Sequence, residues 1–525
     1  MQIKKTGLYV LAILLLFPAL FINLGLLTFI DDEGIRSLVA LEMDLSSNFI
    51  TPTLHGDFYY KKPPLFNWIL WVFFKGFGTY NETVARIPTV LALMAYAGTI
   101  FWYLRSRYGH RFAFIAAFML ITCGRILFWD SMLGLIDITF SWIVFLLFIS
   151  VYHFYQKQRY WAMFLAAYLL TAVGFLLKGL PAIVFVGITI LTYLIYKKDW
   201  KRIFSIQHIA SGLLCLAIIG GYYGVYHQYN SLENVFSTLF TESTMRTAAN
   251  FGIGETIVHL LSFPLEMVYH FLPWAIMLIL FIRKDILKLL RKDDFISYCL
   301  LMFLANIIIY WTSPEVYPRY LLMHAPLIFI VYLYLFQIHR SEKTWQYHII
   351  NGLFTTLVII VALGSFAPLF LKETANTPYL YAKVTGLGLT AISIAYFYIK
   401  RPENRLIYFI LVLLVFRIGF NWYVLPDRNK NDFGDVIRQQ SKRVGSTYSD
   451  QKLYVYKETE MEAAISFYMT EARGSIIPRV FDNFDPSGLY IIDTDEYPDI
   501  EYEQVDELPQ RHRGRPVYVI GRLRW

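Results

Sequence analysis

The sequence predicts a polytopic α-helical membrane protein, with about 13 transmembrane helices and a small C-terminal α/β domain that faces outward. Three observations predict it. Of the 525 residues, 57% are hydrophobic and only 16% charged, a balance far from that of a soluble domain. Apolar stretches of bilayer length, about 20 residues each, recur from the N-terminus to about residue 424. After Pro426 the composition turns polar, and short Tyr-, Val- and Ile-rich runs alternate with helix-like segments.

The spans fall at 7–30, 84–104, 111–128, 132–155, 160–177, 180–196, 207–227, 264–282, 295–312, 319–338, 345–369, 379–399 and 405–424. The first follows "MQIKK" and has the look of a signal peptide, but its apolar part is too long and lacks a small-residue cleavage site, so it reads as an anchor. Alternate loops, "RSRYGHR", "YQKQR", "KKDWKR", "RKDILKLLRKDD", "HRSEK" and "KRPENR", hold the cations and share a side with Lys4 and Lys5. By the positive-inside rule that side is cytoplasmic. The formal charge of +8 is therefore a mark of topology and not a nucleic-acid footprint. Cys123, Cys215 and Cys299 lie within apolar spans at no metal-ligand spacing, so no disulfide framework or metal cluster is implied. Residues 1–425 thus form a transmembrane domain with large outer loops at 31–83 and 228–263. Residues 426–525 form a soluble α/β domain of a size that folds alone.

The polar residues of interest gather at the outer face. "TFIDDEGIRSLVALEM" places Asp31, Asp32 and Glu33 where an apolar span ends, ahead of an amphipathic helix on Ile35, Leu38, Val39, Leu41 and Met43. A carboxylate there is either a helix cap favoured by the dipole or one wall of a reaction site. In "YYKKPPLFNW", Pro63 and Pro64 push Lys62 into an extended conformation among Tyr59, Tyr60, Phe66 and Trp68. An ammonium so held at headgroup height suits a lipid phosphate; the plainer reading is an interfacial anchor with snorkelling lysines. Asp137 lies in apolar sequence beyond Arg125 and Asp130, which makes it a functional candidate. Lys178 stands at a turn broken by Gly179 and Pro181. Glu242 and Arg246 are four apart, on one helical face. Glu315, Tyr317, Arg319, Tyr320 and His324 close the set at the same depth.

These residues resemble a family. Asp32–Glu33, Glu42–Met43 and "GDFYYKKPPL" (Gly56, Tyr59, Lys62, Pro63, Pro64, Leu65) are similar to the first outer loop of bacterial lipid-A aminoarabinose transferases. The wider set of polyprenyl-phosphate-sugar transferases related to protein O-mannosyltransferases shares the pattern. "LIDITF", "LKGLPAI", "ESTMR", "YHFLPW" and "YPRYLLMHAP" follow in the family's order. The resemblance implies a C-superfamily glycosyltransferase fold and a polyprenyl-phosphate sugar as donor. It implies a catalytic role for Asp32 and contact of Lys62 with the lipid phosphate; to these the chemistry of the residues adds Asp137 and Glu33 beside Asp32, and Arg246 and Arg319 as further candidate phosphate clamps. Tyr59, Tyr60, Lys178, Glu242, Tyr269 and Tyr320 would line the substrate groove. Three departures touch specificity: Lys61 replaces the acid usual before the motif lysine, Arg36 stands one place late, and Glu315 stands near where a lysine is usual. The first bears on metal: no cofactor is assigned, and a divalent ion stays open.

The expected reaction is inverting transfer of a sugar to a hydroxyl or phosphate of a glycolipid, glycan or protein, at the periplasmic face of a bacterial inner membrane. A flippase for lipid-linked sugars is the alternative. It would favour broken helices paired across repeats with charges at the midplane, whereas this chain shows no repeat and places its charges at one face.

Overall fold

The computed structural model describes residues 2–245, 252–509 and 516–524. Helix α1 (Gln2–Phe21) leads to α2 (Asp32–Ser46), a ribbon of β1 (Thr53–Leu54) and β2 (Asp57–Phe58), and α3 (Leu65–Phe77). The bundle continues through α4 (Glu82–Ile121), α5 (Gly124–Phe128), α6 (Ile136–Gln156), α7 (Tyr160–Lys178), α8 (Pro181–Tyr196), α9 (Ile206–Tyr226), α10 (Glu233–Thr244) and α11 (Ile253–His270). It closes with α12 (Ile286–Leu290), α13 (Asp294–Trp311), α14 (Ala325–Glu342), α15 (Trp345–Gly364), α16 (Leu380–Lys400) and α17 (Arg405–Gly419).

Among the described residues, eight helices are long and apolar enough to cross a membrane, and three shorter apolar helices accompany them. The chain is thus a multi-pass membrane protein, but the expected thirteen spans do not map one to one. The 84–104 and 111–128 spans run together as α4, which turns within "RSRYGHR" at Gly109, where φ is +81° and a Cβ would be strained. The 264–282 span is divided, with α11 ending at His270 and a 3₁₀ helix over Trp274–Phe281. The 319–338 span begins later, because Pro318–Leu321 is a 3₁₀ turn and α14 starts at Ala325. The first span stops at Phe21 instead of residue 30, and the residues after it are turns.

After α18 (Leu425–Asn431) comes a unit of α19 (Gly434–Thr447), β3 (Leu453–Tyr456), α20 (Ala463–Arg473), β4 (Arg479–Val480), β5 (Leu489–Asp493), β6 (Tyr502–Pro509) and β7 (Pro516–Leu523). Its sheet has the order β4-β3-β5-β7-β6; β3 is parallel to β4 and β5, and β7 is antiparallel to both its neighbours. The strands alternate as the period of two requires. Leu453, Val455, Leu489, Ile491 and Ile520 join the core continuous with the helical bundle. Tyr456, Tyr490, Ile492 and Val519 form a second cluster on the opposite face. The unit is therefore docked on the bundle through α19 and α20.

Candidate active site

Three elements bring the site together. Asp31 caps α2, its carboxylate accepting from Asp32 N at 2.9 Å, with φ +58° turning the chain at the helix start. Asp32 and Glu33 then occupy the first turn, where the helix dipole favours anions. The two carboxylates point to different environments.

Glu33 is fully buried. It accepts from Arg86 at 2.6 and 3.0 Å, from Ile30 N at 2.7 Å and from Gly134 N at 2.7 Å. Arg86 also donates to the carbonyls of Leu24, Leu27 and Thr28, pinning the turns that follow α1. Both Glu33 oxygens are taken, so it sits as a scaffold residue and not as the catalytic group expected. Asp32 keeps 42% of its side chain exposed and, among the described residues, accepts a long contact, 3.4 Å, from Arg319.

Arg319 is the hub. It is 4% exposed and pairs with Asp31, Asp32 and, at 3.5 Å, Asp137. Its guanidinium lies 4.5 Å from the Tyr317 ring. This cation, expected as a phosphate clamp, is surrounded by three carboxylates and gathers them. Asp137, in the first turn of α6, also accepts from Lys178 at 2.5 Å. Lys178 stands 3.9 Å over the ring of Tyr320. Beside Asp137, the buried Asp130 pairs with Arg125 at 3.1 Å, and burial pushes its carboxyl up to about 6.

Lys178 belongs equally to a cavity of about 220 Å³. Lys61, Lys62, Lys178 and Glu242 share its lining with Glu315, Tyr320 and apolar side chains that include Leu180, Val184 and Phe185. Lys62 lies 3.3 Å from Glu242. Burial, reinforced by the Arg36 guanidinium, draws its ammonium below the ordinary lysine value, and the Glu242 carboxylate opposes that shift. The expected Lys62, Lys178, Glu242 and Tyr320 thus meet at one cavity, joined through Asp137 and Arg319 to Asp32.

Other expected residues fall elsewhere. Tyr59 packs with Val39 and Met43 beneath Arg36 and is 7% exposed, a core position and not a groove wall. Tyr60 accepts from Asn230 at 3.1 Å. Tyr269 is 70% exposed and lines a separate groove with Arg125 and Trp129. Arg246 lies outside the described residues. Arg36 was noted in the sequence only as displaced, yet it is 3% exposed, with its guanidinium 5.3 Å from the Tyr59 ring centroid. The available signal was its spacing from Asp32, four residues on along one helix face. Among the described residues no three His, Cys, Asp or Glu side chains come together as a metal would need; the cation among Asp31, Asp32 and Asp137 is Arg319.

Residues 61–222 match the family model described as dolichyl-phosphate-mannose-protein mannosyltransferase, a stretch that contains Lys62, Asp137 and Lys178. An uncharacterized protein of Aquifex aeolicus is 23% identical over 250 residues, 47% of this chain and 48% of that protein, so the match spans about half the relative's length. The crystal structure of ArnT from Cupriavidus metallidurans bound to undecaprenyl phosphate superposes with a TM-score of 0.69 at 18% identity, over 99% of this chain and 98% of that one. Its apo form gives 0.68 at 17% identity, over 98% of each chain. The chain thus resembles ArnT in fold along its whole length, and the protein-mannosyltransferase family model in sequence over residues 61–222.

Proposed function

We propose that the protein is an inverting glycosyltransferase. It takes a sugar from a polyprenyl phosphate and places it on a hydroxyl or phosphate of a lipid, glycan or protein, at the periplasmic face of a bacterial inner membrane. The observation that carries this reading is the continuous path from the accessible carboxylate of Asp32, through Arg319, Asp137 and Lys178, to the cavity of lysines over apolar walls.

Each part has a chemical task. An isoprenoid chain is apolar and its phosphate anionic, which matches a cavity with Val184 and Phe185 in its walls and Lys61, Lys62 and Lys178 among its charged lining. Transfer forms a bond from the acceptor oxygen to C1 of the sugar. The bond from C1 to the donor phosphate breaks, and its electron pair leaves with the phosphate. Lys62 and Lys178 stabilise that developing charge, with Arg246 assigned the same task from its charge and its place in the outer loop. Asp32 accepts the proton of a hydroxyl acceptor. Asp137 holds Lys178 and Arg319 in place. A phosphate is already a good leaving anion, so no general acid is needed. Arg319 keeps Asp31, Asp32 and Asp137 close without the repulsion three bare carboxylates would create.

The test is mass spectrometry of membranes with and without the protein, following polyprenyl-phosphate sugars, glycolipids and glycoproteins together. Loss of one glycan with accumulation of one lipid-linked sugar supports the transferase and names both substrates. Unchanged glycans, with lipid-linked sugars redistributed between leaflets, would replace it with a flippase.

A further inference from the structure

The chemistry proposed above is carried by two short segments of the first outer loop. Residues 28–36 bring Asp32, and residues 53–62 bring Lys62. A two-stranded ribbon of two-residue strands is not independently stable, and the turn before α2 is irregular. Beyond the contacts of Arg86, Arg319 and Glu42, both segments also rest on one helix, α20, in the C-terminal unit.

At the first segment, Gly34 meets Ala463 so closely that a Cβ on Gly34 would stand 3.0 Å from the Ala463 Cβ and 3.2 Å from Ala464 N. The Phe29 ring meets Phe467 edge-on at 4.8 Å, and Phe29 N donates to the Tyr468 hydroxyl at 3.4 Å. Arg438 of α19 donates to Leu26 O at 3.1 Å and to Glu82 at 2.7 and 2.9 Å, and Tyr468 donates to the same Glu82 oxygen.

At the second segment, Glu42 folds the ribbon onto α2, accepting from Thr53 Oγ1 at 2.7 Å, His55 N at 2.7 Å and Gly56 N at 3.2 Å. His55 then ties the ribbon to the C-terminal unit. Its carbonyl accepts from Arg479 N at 2.8 Å, and its Nε2 lies 3.3 Å from Ser466 Oγ. Lys62 follows the end of β2 by four residues.

We infer that α20 is a positioning element of the active site: by seating Gly34 on Ala463 and His55 on Ser466, it fixes the separation between the Asp32 carboxylate and the Lys62 phosphate site. This rests on the assignment of Asp32 and Lys62 made above. The need is physical, since a base and a leaving-group site must be held to within about 0.5 Å, and a misplacement of about 1 Å lowers rates by about 10²-fold. Ala463 and Ser466 touch neither substrate in this scheme and act through the segments they hold.

Three variants and three readouts test it in the full-length protein. The variants are Gly34→Ala, the double variant Gly34→Ala with Ala463→Gly, and Ser466→Ala. The readouts are affinity for undecaprenyl phosphate in nanodiscs, its saturated rate of release from a lipid-linked sugar extract, and hydrogen exchange of residues 28–36 and 53–62. Gly34→Ala is expected to slow release about tenfold with affinity unchanged, and Ala463→Gly, which clears the nearest of its contacts, to recover part of that loss. Ser466→Ala is expected to weaken affinity about fivefold, the effect of one lost hydrogen bond, with saturated release unchanged. Exchange should quicken at 28–36 in the first variant and at 53–62 in the last. Affinity and release falling together in both variants, with no rescue by Ala463→Gly, would overturn the inference as a general loss of folding. Unchanged exchange at both segments would overturn it as well, and that readout needs no substrate. Wild-type protein that neither binds nor releases undecaprenyl phosphate would instead overturn the transferase reading, leaving exchange to decide the role of α20.

Discussion

Replacing Asp32 by Asn separates the base from the scaffold. The carboxylate is 42% exposed and reaches Arg319 only at 3.4 Å, so the contact it loses is a partly solvated one worth below about 1 kcal/mol. Arg319 keeps Asp31 and Asp137, and Glu33 keeps Arg86, so the buried charges stay paired and the fold remains. The amide is isosteric and leaves the lysine-lined cavity untouched. What disappears is proton acceptance, worth about 10²–10⁴-fold in rate, or about 3–5 kcal/mol of barrier at 1.36 kcal/mol per decade. The assay is release of polyprenyl phosphate under saturating donor, with thermal unfolding and undecaprenyl phosphate affinity measured on the same preparation. The expected result is a rate lower by that factor, with melting temperature and affinity close to wild type. A well-folded variant turning over at near wild-type rate would refute the assignment and move the base to another carboxylate on Arg319.

Three further outcomes follow from the same contacts. Lys62→Ala should weaken undecaprenyl phosphate about 30-fold, or ~2 kcal/mol for one charge-assisted contact, whereas Glu242→Gln, which removes the anion 3.3 Å from Lys62, should tighten it about fivefold; titration of purified protein with the lipid reads both. Glu33→Gln should destabilise the protein by about 3–5 kcal/mol, because it leaves Arg86 buried and uncompensated, which a fall in thermal midpoint and in membrane yield would register. Burial, with help from Arg479, lowers His55 from 6.5 to about 4; the unfolded chain therefore takes up this proton first, and stability is lost as pH falls from 6.5 towards 4, by about 3 kcal/mol over the full window. His55→Asn should flatten that acid-side loss in thermal midpoints recorded from pH 7 to 4. Asp130, held at about 6, changes stability in the opposite sense across the same range, so the comparison of variant with wild type isolates His55.

Much of this arrangement is legible in the sequence because it rests on local signals. The lysine before two prolines, Asp137 in an apolar run and Lys178 before Gly179 each stand out from their neighbours, and the cavity joins Lys62 to Lys178. The partners are not legible. Nothing near Glu33 announces Arg86, 53 positions away, and nothing near Arg319 announces Asp31, 288 positions away. Without its partners Arg319 looks like a phosphate clamp; with them it is a hub for carboxylates. Tyr59 misleads for a related reason, since an aromatic at headgroup height fits a groove wall as well as a core, and only the packing of Val39 and Met43 decides. Among the spans, apolar length is read well, but Gly109 turns a helix where the run of cations suggested a loop.

The dependence of the first helix on the far end of the chain bears on how the protein is made. Asp31 and Asp32 are translated among the first residues, Arg319 more than 280 residues later, and the α20 side chains that seat Gly34 and His55 later still. Until Arg319 is present, Asp31, Asp32 and Asp137 lack the guanidinium that pairs with all three. A chain that lacks α20 therefore lacks the contacts at Gly34 and His55, however complete its membrane helices are.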